Sequence, residues 1–212
     1  MQKLIAKGAE ARLFLGDYLN NPIIIKDRLP KSYRLKELDE RLRGFRTRRE
    51  AKVLDKLNRA GFKSPKVISC DGNEKISMEK IEGILVKEIL EKNFKNICRK
   101  IGDNVAIMHN EGIIHGDLTT SNMILKENPD AVSGDVYFID FGLSFFSEKA
   151  EDRAVDIHLF KEALESKHSS IWKKCFDAFL QSYEKKAEKS RETLKRLENV
   201  EKRGRYRAKK GN

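Results

Sequence analysis

Cysteine, proline and tryptophan are scarce in this chain of 212 residues, which has three, four and one of them. Cys70, Cys98 and Cys175 are odd in number and far apart. That excludes the stapled framework of a small secreted domain and fits core thiols kept in a reducing compartment. Long apolar runs are also missing. A membrane-spanning helix needs roughly 18 to 20 apolar residues in succession, and the opening MQKLIAKGAE lacks the apolar stretch of a signal peptide. A soluble, cytoplasmic protein is expected. Acids fall short of bases, 33 Asp and Glu against 44 Lys and Arg, so the formal charge is +11, a balance that suits an anionic partner. What is present suffices for a core: apolar residues make up 39% of the chain and include 11 phenylalanines, which argues against wholesale disorder. The length allows one compact domain or two small lobes.

Three apolar stretches, 4–7, 11–15 and 23–26, broken by Gly8 and Asn20-Asn21-Pro22, predict an antiparallel meander. Between 37 and 60 the spacing turns helical, with Leu38, Leu42, Phe45, Val53, Leu54 and Leu57 as the apolar positions and Gly61 as the stop. Arg41, Arg43, Arg46, Arg48 and Arg49 fall on this helix, as a solvated face or as a surface for an anion. Two more strands, 66–70 and 75–78, joined by the turn Asp71-Gly72-Asn73, complete a small sheet. Beyond Gly83 the pattern is mainly helical, with helices predicted at 84–90 and 94–109 and again from about Arg153 to about Val200. Short strand-like runs, Met123-Ile124-Leu125 and 136–139, interrupt it. Trp172, Phe176 and Phe179 recur at core spacing, and His109, His158 and His168 show no ligand spacing. The expected domains are a sheet lobe at 1–80, a helical lobe at 81–200 and a basic tail at 201–212.

Chemistry concentrates in GIIHGDLTTSNMIL and VYFIDFGLS. Asn122 follows Asp117 by five residues, and Asp140 opens an Asp-Phe-Gly triplet 23 residues after Asp117. A protein-kinase catalytic loop has this form, His-x-Asp with its Asn, and a later Asp-Phe-Gly supplies a metal-binding carboxylate. Oxygen ligands suit a hard cation, so Asp140 and the amide oxygen of Asn122 can hold Mg²⁺ against nucleotide phosphates. Asp117 can orient and deprotonate an attacking hydroxyl or water, and His115 can orient the loop. A phosphate-facing cation is expected at Lys26, which ends the strand Ile23-Ile24-Ile25, with Glu50 as its partner; Glu37 and Glu40 share the same helix and remain alternatives. The turn holding Gly8, Ala9, Glu10 and Ala11 is expected to roof the nucleotide, with a single glycine where kinases have three. In SMEKIEG, similar to the kinase hinge, Glu79 and Ile81 would offer main-chain groups to adenine.

Together KGAEA, the Lys26 strand, LDERLRGFRTRREAKVL, MEKIEG, HGDLTTSNMIL, IDFGLS, EDRAVD and the basic C-terminal stretch resemble the small atypical kinase of the KEOPS (EKC) complex, the family called PRPK in animals. The resemblance covers nearly the whole chain. It implies an α+β, minimal two-lobed protein-kinase-like fold: a small antiparallel sheet lobe with one long helix, and a mainly helical lobe, with ATP and Mg²⁺ between them. It implies Asp117 as proton acceptor, Lys26 on the ATP phosphates, and Asn122 with Asp140 on Mg²⁺. The implied activity is that of an atypical Ser/Thr kinase and ATPase supporting threonylcarbamoyladenosine formation on tRNA. The implied partners are a Kae-type threonylcarbamoyl-transferase subunit on the large lobe, a small subunit on the sheet lobe, and tRNA through basic residues of helix and tail.

The chain departs from ordinary protein kinases in several places. Gly116 stands where they have Arg, Thr119 where Ser/Thr kinases carry Lys, and no Ala-Pro-Glu follows Ser144. A peptide substrate has no evident platform, which favours water as nucleophile. Asp152 and Asp156 are candidates to brace the loop, Asp152 equally as a helix N-terminal charge. Lys202, Arg203, Arg205, Arg207, Lys209 and Lys210, with Tyr206 among them and no acid, suit either an RNA contact or a solubilising tail. Two other readings stay open: a RIO-type kinase of ribosome maturation, whose members usually carry an added N-terminal domain that 212 residues do not accommodate, and a non-catalytic tRNA-binding scaffold.

Overall fold

The computed structural model divides the chain into two units, Met1–Glu82 with Asp140–Leu143, and Gly83–Ile139 with Ser144–Asn212. It describes residues 2–126 and 134–210, and of 204–210 the backbone alone.

Five strands and one long helix build the first unit. β1 (Lys3–Lys7), β2 (Ala11–Tyr18) and β3 (Asn21–Arg28) form the meander, and β4 (Val67–Cys70) and β5 (Lys75–Glu79) extend it in the order β1-β2-β3-β5-β4, every pair antiparallel. Asp71 fixes the β4–β5 turn: its carboxylate accepts the amides of Asn73, Glu74 and Lys75 at 2.8, 3.0 and 2.9 Å. Partial burial opposes that charge, yet the three amides hold its pKa below the usual carboxylate value. Alternation along β3 puts Ile24, Lys26 and Arg28 on one face, and that face meets α1 (Lys36–Arg59), which buries Val53, Leu54 and Leu57. Glu37 and Asp39 in its first turn and Lys56 and Arg59 in its last complement the helix dipole. Much of the arginine row on α1 is spent within the unit. Arg43 pairs with Asp39 and Glu74, Arg46 with Glu10, and Arg48 donates to the Gly72 carbonyl.

The second unit opens with β6 (Ile84–Leu85), α2 (Val86–Ile89) and a 3-10 turn at Leu90–Lys92, where the sequence predicts a single helix. Pairing of Ile84 and Leu85 with Leu125 and Ile124 takes the first two residues into a sheet; satisfied backbone groups outweigh helical spacing there. There follow α3 (Phe94–Asn110), β7 (Ile113–Ile114), a 3-10 turn at Thr120–Asn122, β8 (Met123–Lys126), β9 (Asp135–Phe138) and β10 (Phe145–Phe146), then α4 (Ala150–Lys167), α5 (Trp172–Lys186) and α6 (Ser190–Lys210). The strands form a sheet ordered β6-β8-β9 and a pair β10-β7.

The core of this unit lies where α3 meets α5. Ile97, Cys98, Ile101, Val105 and Met108 are buried against Cys175, Phe176, Phe179 and Tyr183. The helices touch closely at Gly102, where a Cβ would sit 2.3 Å from the Phe179 carbonyl oxygen. Cys98 and Cys175 are buried as expected, but Cys70 is exposed, because β4 is an edge strand whose last three residues face out. The α6 backbone stays helical through 201–210, the stretch expected as a separate tail; the side chains of Arg205, Tyr206, Arg207, Lys209 and Lys210, and so their expected RNA contacts, lie outside the described residues. Among the described residues no helix is long and apolar enough to cross a membrane.

Candidate functional site

In the first unit, β3 ends in three buried charges, Lys26, Asp27 and Arg28. Lys26 Nζ donates to Glu50 Oε1 at 2.8 Å and to Asp140 Oδ1 at 2.7 Å. Arg28 donates to the other Glu50 oxygen and, through Nε, to Thr47 Oγ1 at 3.2 Å. Glu50, 1% exposed, therefore holds one buried cation on each oxygen, while Glu37 and Glu40 are exposed. Burial works against the Lys26 charge, but Glu50 and Asp140 outweigh both burial and the nearby Arg28, so its pKa stands above the ordinary 10.5.

Asp140 sits at a φ of 62°, the left-handed region that few non-glycine residues enter. Its Oδ1 also accepts the Gly142 amide at 3.2 Å, and its side chain is 53% exposed. Gly142 is pressed against the same cluster: a Cβ there would lie 3.1 Å from Asp140 Oδ1 and from Lys26 Nζ, and 3.3 Å from an Arg28 nitrogen.

Of the remaining candidates of this unit, Ala11 lies opposite Arg28 in the β2–β3 ladder. Gly8 donates its amide to the Ala11 carbonyl at 2.9 Å. Glu10 takes Arg46 at 2.6 Å, and the Ala9 carbonyl accepts from Lys31. Gly8, Ala9 and Glu10 are exposed and Ala11 is buried. Glu79 commits its amide to the Lys66 carbonyl at 2.8 Å, and Ile81 is buried.

In the second unit, β7 runs into His115, Gly116 and Asp117. Gly116 turns at a φ of 78°, a conformation that costs an L side chain about 1–2 kcal/mol; this gives a physical reason for glycine where kinases have arginine. Asp156 of α4, fully buried, accepts the His115 amide on Oδ2 and the Gly116 amide on Oδ1, both at 2.9 Å. The Asp117 amide donates to His115 Nδ1 at 3.3 Å. His109 closes the support, with Nε2 at 3.2 Å from Asp156 Oδ2 and Nδ1 at 2.9 Å from the Tyr183 hydroxyl. Burial disfavours the Asp156 charge, but the His109 hydrogen bond, the positive charge of His109 and His115 when protonated, and the His115 amide keep its pKa below the usual carboxylate value. Thr120 Oγ1 lies 3.2 Å from His168 Nε2, anchoring the far end of the loop. Asp152 takes the Ser147 hydroxyl at 2.6 Å at the start of α4 instead of a loop amide.

Asn122 donates its amide nitrogen to the Asp117 carbonyl at 2.9 Å and to Asp117 Oδ2 at 2.8 Å. With that nitrogen committed, the carboxamide offers its oxygen to a cation. A carboxamide oxygen is a hard donor of the kind Mg²⁺ takes; among the described residues no group of three or more His, Cys, Asp or Glu is placed to hold a metal ion.

The sequence assigned no chemistry to His109, His168, Thr120 or Tyr183. Their partners lie 47 residues away for His109 to Asp156, 74 for His109 to Tyr183 and 48 for Thr120 to His168, so local spacing carries no sign of them.

Residues 31–154 match the RIO domain family. The chain is 44% identical to the KEOPS complex subunit Bud32 of Pyrococcus abyssi, over 97% of this chain and 96% of that one. It is 39% identical to a probable serine/threonine-protein kinase BUD32 homolog of Archaeoglobus fulgidus, over 87% of this chain and 88% of that one. It is also 38% identical, over 96% of its length, to a probable bifunctional tRNA threonylcarbamoyladenosine biosynthesis protein of Methanothermobacter thermautotrophicus, of which it spans 36%. Among solved structures it is similar to WaaP in complex with acyl carrier protein (TM-score 0.66, 13% identity, 95% of this chain and 88% of that one). The Rio2 kinase of Chaetomium thermophilum gives a TM-score of 0.58 at 14% identity, over 95% of this chain and 70% of that one. These likenesses show the kinase-like α+β fold that the motifs imply. With the RIO domain matching more than half of it and a relative of similar length 44% identical throughout, the chain belongs to the RIO-domain family, among the Bud32-type proteins.

Proposed function

We propose that the chain is an atypical Ser/Thr kinase and ATPase that works within a KEOPS complex in support of threonylcarbamoyladenosine modification of tRNA. The observation that carries the chemistry is the Lys26 ammonium, buried and held by Glu50 and Asp140. A cation so fixed is poised for the phosphates of ATP, with Asp140 and the carboxamide oxygen of Asn122 as the groups that would hold Mg²⁺. That ion, when bound, neutralises charge on the phosphate oxygens. Asp117 orients the attacking water or hydroxyl and takes its proton as the new oxygen–phosphorus bond forms and the bond to the ADP oxygen breaks. The turn of Gly8, Ala9, Glu10 and Ala11 and the main chain of Glu79 and Ile81 serve the nucleotide.

The biology rests on the relatives, whose names cite the KEOPS complex and tRNA threonylcarbamoyladenosine biosynthesis. A Kae-type transferase subunit, a small subunit on the sheet unit and tRNA on the basic α6 are the partners this reading assigns. Incubation of the purified chain with Mg²⁺ and ATP should release phosphate, and Asp140→Ala should abolish that release while tRNA binding persists. Full tRNA-modification activity in a complex carrying Asp140→Ala would replace this reading by the scaffold one.

A further inference from the structure

The Tyr183 hydroxyl is buried in the second unit, and the proposed chemistry makes no use of it. Its surroundings give it a different task. Asp156, whose pKa is lowered, is ionised at neutral pH, and an ionised carboxylate only accepts hydrogen bonds. His109 Nε2, 3.2 Å from Asp156 Oδ2, must therefore carry the hydrogen between them. The other ring nitrogen, Nδ1, faces Tyr183 Oη at 2.9 Å. Burial pushes the Tyr183 pKa up to about 12, against the pull of the Thr193 hydroxyl and the Arg153 charge, so the phenol keeps its hydrogen and stays a hydrogen-bonding partner for Nδ1. The ring is held for this by its stack on Phe179, with centroids 6.0 Å apart and planes at 16°, and it meets the imidazole edge-on at 82°.

We propose that Tyr183 is a positioning residue of the Asp117 loop: its hydroxyl ties the His109 ring from the Nδ1 side, so that Nε2 is held against Asp156, and Asp156 in turn fixes the amides of His115 and Gly116. Without the hydroxyl, the buried Nδ1 loses this partner and the ring can tilt away from Asp156. The hydrogen bond between Nε2 and the carboxylate then weakens. The carboxylate shifts, and the two amides it holds, next to Asp117, lose their common anchor. The inference rests on the phosphoryl-transfer reading for its kinetic consequence; the structural consequence is independent of that reading.

Tyr183→Phe in the full-length chain tests it, because the change removes the hydroxyl and keeps the aromatic stack. Amide hydrogen exchange at His115 and Gly116 should quicken about tenfold with exchange in β3 unchanged. The kcat for ATP hydrolysis should fall about tenfold at constant KM, since the phosphate-facing Lys26 is untouched. Nitrogen NMR of the unmodified chain should show a hydrogen on His109 Nε2, and Tyr183→Phe should shift the Nδ1 resonance as its hydrogen bond is lost. Unchanged exchange at the two amides in a folded Tyr183→Phe protein overturns the proposal. So does a His109 in the unmodified chain with no hydrogen on Nε2, a measurement that stands even where the variant does not fold. An unmodified chain that hydrolyses no ATP would count against the catalytic reading, and amide exchange would still decide the positioning role.

Discussion

The two units hold their candidate residues by different physics. In the first unit, Lys26, Arg28, Glu50 and Asp140 are fixed by opposite charges, two cations sharing one buried carboxylate. In the second, the Asp117 loop is fixed by backbone amides on Asp156 and by a ring and a phenol behind it. Charges set by other charges can re-pair: Asp140 is exposed and Glu50 buried, so Lys26 can give up the first and keep the second. Amides on a buried carboxylate are tied to one backbone geometry. Under the proposed function, the phosphate-facing cation thus sits among exchangeable pairs, and the base on a preset backbone.

Four changes would break or sharpen that contrast, beginning with the largest. Asp117→Asn should lower ATP turnover by about 10²–10⁴-fold, the range of a general base, with little effect on unfolding. Steady-state phosphate release measures it, and undiminished turnover would remove Asp117 from the chemistry. Glu50→Ala leaves two buried cations without their shared carboxylate and should destabilise the first unit by about 3–5 kcal/mol. Amide exchange should then rise in β3 and hold in α3; equal loosening in both would deny that the charge cluster is local to its unit. Gly116→Ala should cost about 1–2 kcal/mol through its backbone angle, read by urea titration, and a neutral outcome would show that the loop tolerates another geometry.

The smallest effect separates the units by pH. Asp156 has a folded pKa below the usual 3.8, so its contribution is present above that value and is lost as pH falls through the lower folded pKa. Lys26 has a folded pKa above 10.5, so its contribution is present below that value and is lost as pH rises through the higher folded pKa. Exchange at the His115 and Gly116 amides should rise in acid, and exchange in β3 around Lys26 should rise in alkali. Alkali that loosens the two amides and leaves β3 unchanged would contradict the assignment.

The kinase-like motif was the legible part. Asp117, Asn122 and Asp140 stand at the offsets of that motif, whereas the sequence left Glu37 and Glu40 beside Glu50, and only the fold shows Glu50 on Lys26. The strands β6, β7 and β10 were not legible, because two residues carry no period and their pairing partners lie far along the chain. The arginines of α1 read as one charged face, whereas Arg43, Arg46 and Arg48 each find a partner in a different loop or strand. The support behind the Asp117 loop was hidden for the same reason: a histidine at ordinary core spacing looks identical whether or not a phenol waits 74 residues downstream.

Gly102 lies seven residues before His109 on α3, and Phe179 lies four before Tyr183 on α5, so the glycine contact and the histidine–phenol contact fall on the same seam about 10 Å apart. The residue without a side chain acts as a caliper for the pair that has them. A methyl at 102 would wedge the helices open at one end of the seam, and a hydrogen bond that tolerates only a few tenths of an ångström would be stretched at the other. The close approach at Gly102 thereby governs how nearly His109 and Tyr183 can meet.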